Sequence, residues 1–199
     1  RSTLFPYTTL FRSLAENGVE ISEEQFSDVY VNYVEMGKKL KLRKLPKLFV
    51  VQEGGLLNAF AVRFSGRHYI AIYAEIFSLF ETEDSLVNFV LGHEMGHVKR
   101  NHLMKRFWTF PSLIVPFLDA AYSRSCEYTC DNIGHALSPE GSIEGMVLLA
   151  GGKDIFRKID VDRYVKNARE NSTLVVKFAG LFMSHPYLPK RIENIRYMK

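Results

Sequence analysis

Across 199 residues the chain has only two cysteines, one tryptophan and almost no excess charge, with 26 basic against 22 acidic side chains. Two cysteines spaced four apart, Cys126 and Cys130, make no disulfide framework; on one helix they suit a small, reduced core, which favours a reducing compartment. No uninterrupted apolar stretch reaches the roughly 20 residues that a spanning helix needs. The most apolar segment, Phe107 to Leu118, is only twelve residues long and is broken by Pro111 and Pro116. It reads as a packing loop, although the aromatics Phe107, Trp108 and Phe110 leave association with a bilayer surface open. Internal repeats and low-complexity tracts are also missing, so solenoid and disordered classes are excluded.

The formal charge is +4, and removing Arg1 and Arg12 leaves +2. That removal is warranted because Arg1 to Ser13 reads as the translation of a sequencing-library adapter, an artefactual segment ahead of a single domain over residues 14–199. The natural start is then expected upstream of Leu14, with any anchor it carried. A charge so small and so dispersed does not make a nucleic-acid-binding surface. The basic cluster from Lys38 to Lys44 reads as a solvated helix end and linker. What remains is one domain with enough chain for a substantial core.

Hydrophobic spacing predicts a helix from Leu14 to about Leu40, capped at Ser22 with Gln25 completing a capping box, and ended by Pro46. Three extended runs follow, Lys47 to Gln52, Leu56 to Phe64 and His68 to Ala74. Glycine-containing turns separate them, which predicts a small meander that is at least partly antiparallel. An exposed edge of such a sheet can hold an extended peptide through main-chain hydrogen bonds. Beyond it the pattern is helical: a long helix capped at Thr82, another from Pro116 to Leu137, one after Ser138-Pro139 that stops at Gly151-Gly152, then Val161 to Asn171, Thr173 to Met183 and Lys190 to Met198. The fold class expected is α+β: a mainly helical domain with a small, at least partly antiparallel sheet beside the long helix.

That long helix carries His93-Glu94-Met95-Gly96-His97. Histidines at i and i+4 share one side of a helix, where both imidazoles can grip a single ion. At about 100° per residue, Leu86, Val90, His93 and His97 fall in a narrow arc, so the histidines continue an inward apolar stripe and need a polar partner. Glu94 between them completes the H-E-x-x-H pattern of zinc metalloproteases, in which the glutamate serves as general base. A hydrolytic zinc site takes three protein ligands and leaves a position for water, so a third donor is required. Glu127 and Asp131, again i and i+4, share one face of the next long helix; Glu127 can bind the metal while Asp131 accepts the outer N–H of a ligand histidine. His185, in the proline-flanked Ser184-His185-Pro186, reads on its own as a surface histidine.

Taken together these segments resemble the HtpX and CAAX prenyl protease group of zinc metallopeptidases. The likeness spans about Leu56 to Ile195 and rests on Asn58-Ala59-Phe60, on His93-Glu94-Met95-Gly96-His97, on Ser123-Arg124 with Glu127-Tyr128 and Asp131, and on Ser184-His185-Pro186 with Arg191-Ile192. It implies a zincin-like fold and one zinc ion held by His93, His97 and Glu127, with Asp131 supporting the ligands and Glu94 catalytic. It further implies that His185 stabilises the tetrahedral intermediate, that Arg191 is a structural or charge partner nearby, and that the substrate polypeptide lies extended along Asn58, Ala59 and Phe60. Cys130 departs from the group, which often has alanine before the aspartate, and the membrane helices of many members have no counterpart here. The expected function is a zinc metalloendopeptidase in protein quality control, cytoplasmic or at the cytoplasmic face of a membrane. Two other readings stand beside it. A DNA-associated protease of the SprT type would take its third ligand from a histidine such as His102 or His135, and a chaperone-like domain would bind peptides without cutting them.

Overall fold

The computed structural model describes residues 14, 16–52, 58–100, 118–183 and 185–198. In chain order these form β1 (Val19–Ile21), α1 (Ser27–Lys39), β2 (Lys47–Val51), β3 (Ala59–Phe64), β4 (Arg67–Tyr73), α2 (Ala74–Phe77), α3 (Asp84–Lys99), α4 (Leu118–Leu137), α5 (Ser142–Gly151), α6 (Val161–Glu170), α7 (Leu174–Phe182) and α8 (Leu188–Arg196). A single 3-10 turn, Phe156–Lys158, sits between α5 and α6. The fold is α+β, mainly helical with one small sheet, as its hydrophobic periodicities require.

The sheet is mixed, with strand order β1-β2-β4-β3. Strands β3 and β4 form an antiparallel hairpin, from Ala59 opposite Ile72 to Phe64 opposite Arg67. The turn places Ser65 and Gly66 at φ 47° and 78°, the paired left-handed residues of a type I′ hairpin. The expected meander is not formed, because β4 inserts between β2 and β3 and runs parallel to β2. That placement lets the apolar run Ile70-Ala71-Ile72 take the most enclosed position; all three are fully buried. It leaves β3 at the edge, where no other strand pairs with it among the described residues.

The first expected helix divides in two. Gly18 turns the chain, its N–H donating to Leu14 O at 3.0 Å, and Val19–Ile21 then pairs antiparallel with β2 and buries Ile21 in the core. Ser22 does not cap a helix: it closes a tight turn with Gln25 through reciprocal backbone bonds of 2.9 and 3.1 Å. Helix α1 then starts behind Phe26, whose φ is 61°. Burial of one isoleucine beside β2 outweighs a helical pattern that was weak at its N-terminal end. Two other expected caps also move. Asp84, not Thr82, accepts from a first-turn amide, that of Ser85, at 2.7 Å, and Ser138 donates its hydroxyl to Ser85 O at 2.7 Å, tying the end of α4 to the start of α3.

Helix α3 lies at the centre. It packs on the sheet through β3 and β4, and on α4, α5 and α1, so nearly every residue from Leu86 to Val98 is buried. The single inward stripe expected from its sequence is therefore too narrow a description, since a helix enclosed on all sides has no solvent face to keep polar. Its antiparallel neighbour α4 comes unusually near. A Cβ on Gly92 would lie 3.0 Å from Gly134 Cα, and one on Gly96 would lie 3.1 Å from Cys130 Cα. Glycine inside a helix costs about 1 kcal/mol relative to alanine; here it permits backbone contact between the two helices that carry the acidic and histidine residues. Cys126 and Cys130 are both buried and are not joined in a disulfide. Gly96→Val should force α3 and α4 apart, lowering stability by about 1–3 kcal/mol and weakening metal uptake by the chain; an unchanged melting temperature would show that the close crossing is not required.

Candidate active site

Two turns of α3 and two of α4 face each other where the glycines let the backbones approach. From α3 come His93 and His97, whose Nε2 atoms are 3.2 Å apart. From α4 comes Glu127, with Oε1 at 3.4 Å from His97 Nε2 and Oε2 at 3.7 Å from His93 Nε2. Among the described residues these three form the one group of donors able to converge on an ion. Ligands bound at about 2.0–2.1 Å with tetrahedral angles stand roughly 3.3–3.4 Å from one another. The three observed separations bracket that value, so the donor set fits a small divalent metal.

The arrangement is held from outside by Asp131, which is fully buried. His93 Nδ1 lies 2.9 Å from Asp131 Oδ1. Arg191 of α8 grips the same carboxylate with two prongs, Nε to Oδ2 at 2.7 Å and Nη2 to Oδ1 at 2.5 Å. Burial pushes the Asp131 carboxyl up, but the hydrogen bonds from Arg191 and His93 outweigh it and keep the group below the ordinary carboxylate range. An ionised carboxylate only accepts, so His93 Nδ1 carries the proton and Nε2 keeps its lone pair for a metal. Burial likewise opposes ionisation of Glu127, and is overcome chiefly by hydrogen bonds from His185 and His97, with the charge of Arg191 adding to them. Arg191 Nη1 also approaches Glu127 Oε2 at 3.5 Å. One guanidinium thus serves two buried carboxylates.

Glu94 follows His93 directly and is 8% exposed. It is a buried neighbour of His93 on α3, within one helical turn of His97. His185 reaches the cluster from the loop after α7, its Nδ1 at 3.2 Å from Glu127 Oε2, while two-thirds of its side chain stays exposed. Asn58, Ala59 and Phe60 stand at the start of edge strand β3, which packs against α3; Asn58 O accepts from Tyr73 N–H at 2.9 Å and Asn58 Oδ1 from Ala59 N–H at 3.0 Å. His135 is turned away, its Nδ1 at 2.9 Å from Ser142 Oγ at the far end of α4. His102 lies outside the described residues, as does the apolar run that precedes Leu118.

One contributor is visible in the sequence only as half of Ser123-Arg124. Arg124, a turn before Glu127 on α4, donates Nη1 to Leu181 O at 3.0 Å and to Met183 O at 2.8 Å. These bonds fasten the C-terminal end of α7, and with it the loop that presents His185, to the helix that carries Glu127. Orphan carbonyls at a helix end signal a need for such a donor, but no local pattern says which arginine supplies it.

Converging imidazoles and a carboxylate, oriented by a second carboxylate and next to a further glutamate, are the parts of a metal-dependent hydrolase. The model of peptidase family M48 matches residues 24–117 and 110–199, and the chain belongs to that family of metallopeptidases. No curated protein matches the chain in direct sequence comparison. Membership in this family sets aside the SprT-type reading, and the placement of His135 removes one of the two ligands which that reading required.

The cluster predicts how metal binding depends on pH. Burial depresses the His97 imidazolium, yet the hydrogen bond to Glu127 and the charges of Glu94 and Glu127 outweigh it and raise the pKa above 6.5. A metal must displace that proton, so affinity should rise with pH from below 6.5 until the raised His97 value is passed. Calorimetric titration of metal into metal-free protein should show tighter binding and smaller proton release at pH 8 than at pH 6. Glu127→Ala should bind at least tenfold more weakly; pH-independent affinity would contradict this ligand set.

Proposed function

We propose that this chain is a zinc-dependent endopeptidase of the HtpX and CAAX prenyl protease type, acting on unfolded polypeptides in protein quality control. The observation that carries the reading is the meeting of His93, His97 and Glu127 at near-tetrahedral spacing, with Glu94 buried next to His93 on the same helix. Imidazole and carboxylate donors in a four-coordinate arrangement favour zinc over calcium or magnesium, which prefer more oxygen ligands. Zinc bound there supplies a water of lowered pKa and a Lewis acid for the peptide carbonyl.

The chain's own residues do the rest. Glu94 accepts the proton of the attacking water and passes it to the departing amine. His185, raised in pKa chiefly by its hydrogen bond to Glu127, donates to the oxygen that gains charge as the carbonyl becomes tetrahedral. Asp131 and Arg191 keep the His93 ring in the tautomer that leaves Nε2 available. The substrate backbone adds to the sheet along Asn58, Ala59 and Phe60 of β3, an edge whose register would carry an extended peptide past α3. Nucleic acid is not a partner in this reading.

Among the described residues no helix is long and apolar enough to cross a membrane. Helix α7 nevertheless exposes Leu174, Val175, Phe178 and Phe182 at 84, 77, 60 and 61%. An apolar face of this extent supports association with a bilayer surface, which this reading puts at the cytoplasmic side. Substituting Phe178 and Phe182 together by glutamate should abolish co-flotation with phospholipid vesicles, and flotation equal to the unaltered chain would remove this part of the reading.

Glu94→Gln keeps the shape and loses the base. It should retain about one zinc per chain while cleavage of an unfolded protein falls by at least 100-fold. Undiminished cleavage would defeat the mechanism. Peptide binding without turnover by the unaltered, zinc-loaded chain would instead favour the chaperone-like alternative.

A further inference from the structure

Beside His185 there is a cavity of about 250 Å³ between α4, α7 and α8, lined by Arg124 and Tyr128, by Leu181, and by His185, Tyr187 and Lys190. Among the described residues no carboxylate lines it. The acids nearest to it are already committed: Asp131 to Arg191 and His93, Glu127 to His185 and His97, and Glu193 to Arg169. Arg124 is fixed by two main-chain carbonyls, which hold the guanidinium in place without neutralising it. Lys190, exposed in the first turn of α8, makes no ion pair among the described residues. The cavity therefore carries two cations that no described carboxylate pairs with, and two phenols, all of them donors suited to an anionic oxygen.

Its position matters as much as its charge. His185 is both a wall of this cavity and a neighbour of Glu127, so a ligand in the cavity sits next to the donor cluster. Successive residues of an extended chain advance about 3.3 Å. A peptide whose carbonyl lies at the cluster therefore presents the group of an adjacent residue here. At about 30 Å³ of liquid volume per water, the space also admits a carboxylate with part of its hydration.

We propose that this cavity is a specificity pocket for a carboxylate of the substrate peptide, close to the bond to be cut, with Lys190 as the residue that selects it. The proposal rests on the peptidase reading of the site. The carboxylate is that of an aspartate or glutamate side chain or that of a free chain terminus, and both present the same chemistry to Arg124 and Lys190. Lys190 stands outside the proton-transfer and donor groups, so its charge can be inverted without touching them.

The test uses the zinc-loaded Glu94→Gln chain and fluorescent peptides of equal length, with binding read by anisotropy. In one set a single glutamate is moved through a neutral, C-terminally amidated sequence; glutamine and lysine replace it in matched sets, and a further glutamine peptide has a free C-terminus. We expect one glutamate position, or the free terminus, to bind about tenfold more tightly than its neutral counterpart. The arm that shows the gain identifies the source. In the same background Lys190→Glu should reverse the order, so that the lysine peptide binds better than the glutamate peptide. Equal affinities throughout, or an order unchanged by Lys190→Glu in a variant of unaltered melting temperature, would overturn the proposal. Cleavage by the chain with Glu94 intact is scored separately. Turnover without charge preference would sink the pocket and leave the peptidase reading, whereas charge-selective binding without turnover would do the reverse.

Discussion

The buried carboxylate of Asp131 is the interaction on which the site depends. It has no exposed surface, it meets His93 of α3 at 2.9 Å, and it is clasped by Arg191 of α8. Three helices distant in sequence are thereby fixed at one charge. Isolated in the interior, an ionised carboxylate would be strongly disfavoured; paired and fully hydrogen-bonded, it stays ionised and sets the tautomer of His93. Arg191 is equally dependent, since it is buried and its charge is answered by Asp131 and Glu127. Removing either partner takes from the other its closest opposite charge in the core, and breaking a buried pair typically costs about 3–5 kcal/mol. Structural integrity and the orientation of a proposed metal ligand are in this way one problem with one solution.

Geometry around that charge follows from small residues. Gly92 against Gly134 and Gly96 against Cys130 let α3 and α4 touch at the backbone. Only at such a separation can a glutamate on one helix come within 3.4–3.7 Å of imidazole nitrogens on the other. The sheet serves the same end from the opposite side, because the buried β4 supports α3 and leaves β3 as an edge beside it. Arg124 then brings the loop bearing His185 up to Glu127. Each device acts over a short distance, and each makes sense only with the others in place.

What could be read in the sequence was the chemistry. His93, Glu94 and His97 share one helical segment, Glu127 and Asp131 another, and helical spacing alone states which side chains can act together. The folded chain brings the two segments together as the need for a third donor demanded. Less was legible where tertiary packing decides. Val19 to Ile21 is too short to announce itself as a strand and becomes one only because β2 offers an edge and the core has room for Ile21. The crossover that sets β4 between β2 and β3 leaves no local trace, since alternation marks strands and does not order them. His185 and Arg191 acquire their meaning only by proximity, and a resemblance to known peptidases pointed to them where spacing could not. The Arg124 clasp on the end of α7 had no signal of its own.

The central claim is that His93, His97 and Glu127 jointly bind one zinc ion. X-ray absorption at the zinc edge of the loaded protein tests it most directly. The account predicts two imidazole nitrogens and carboxylate or water oxygen at about 2.0–2.2 Å with no sulfur neighbour. A sulfur shell at about 2.3 Å, drawing in Cys126 or Cys130, or a spectrum unchanged by Glu127→Ala, would contradict it.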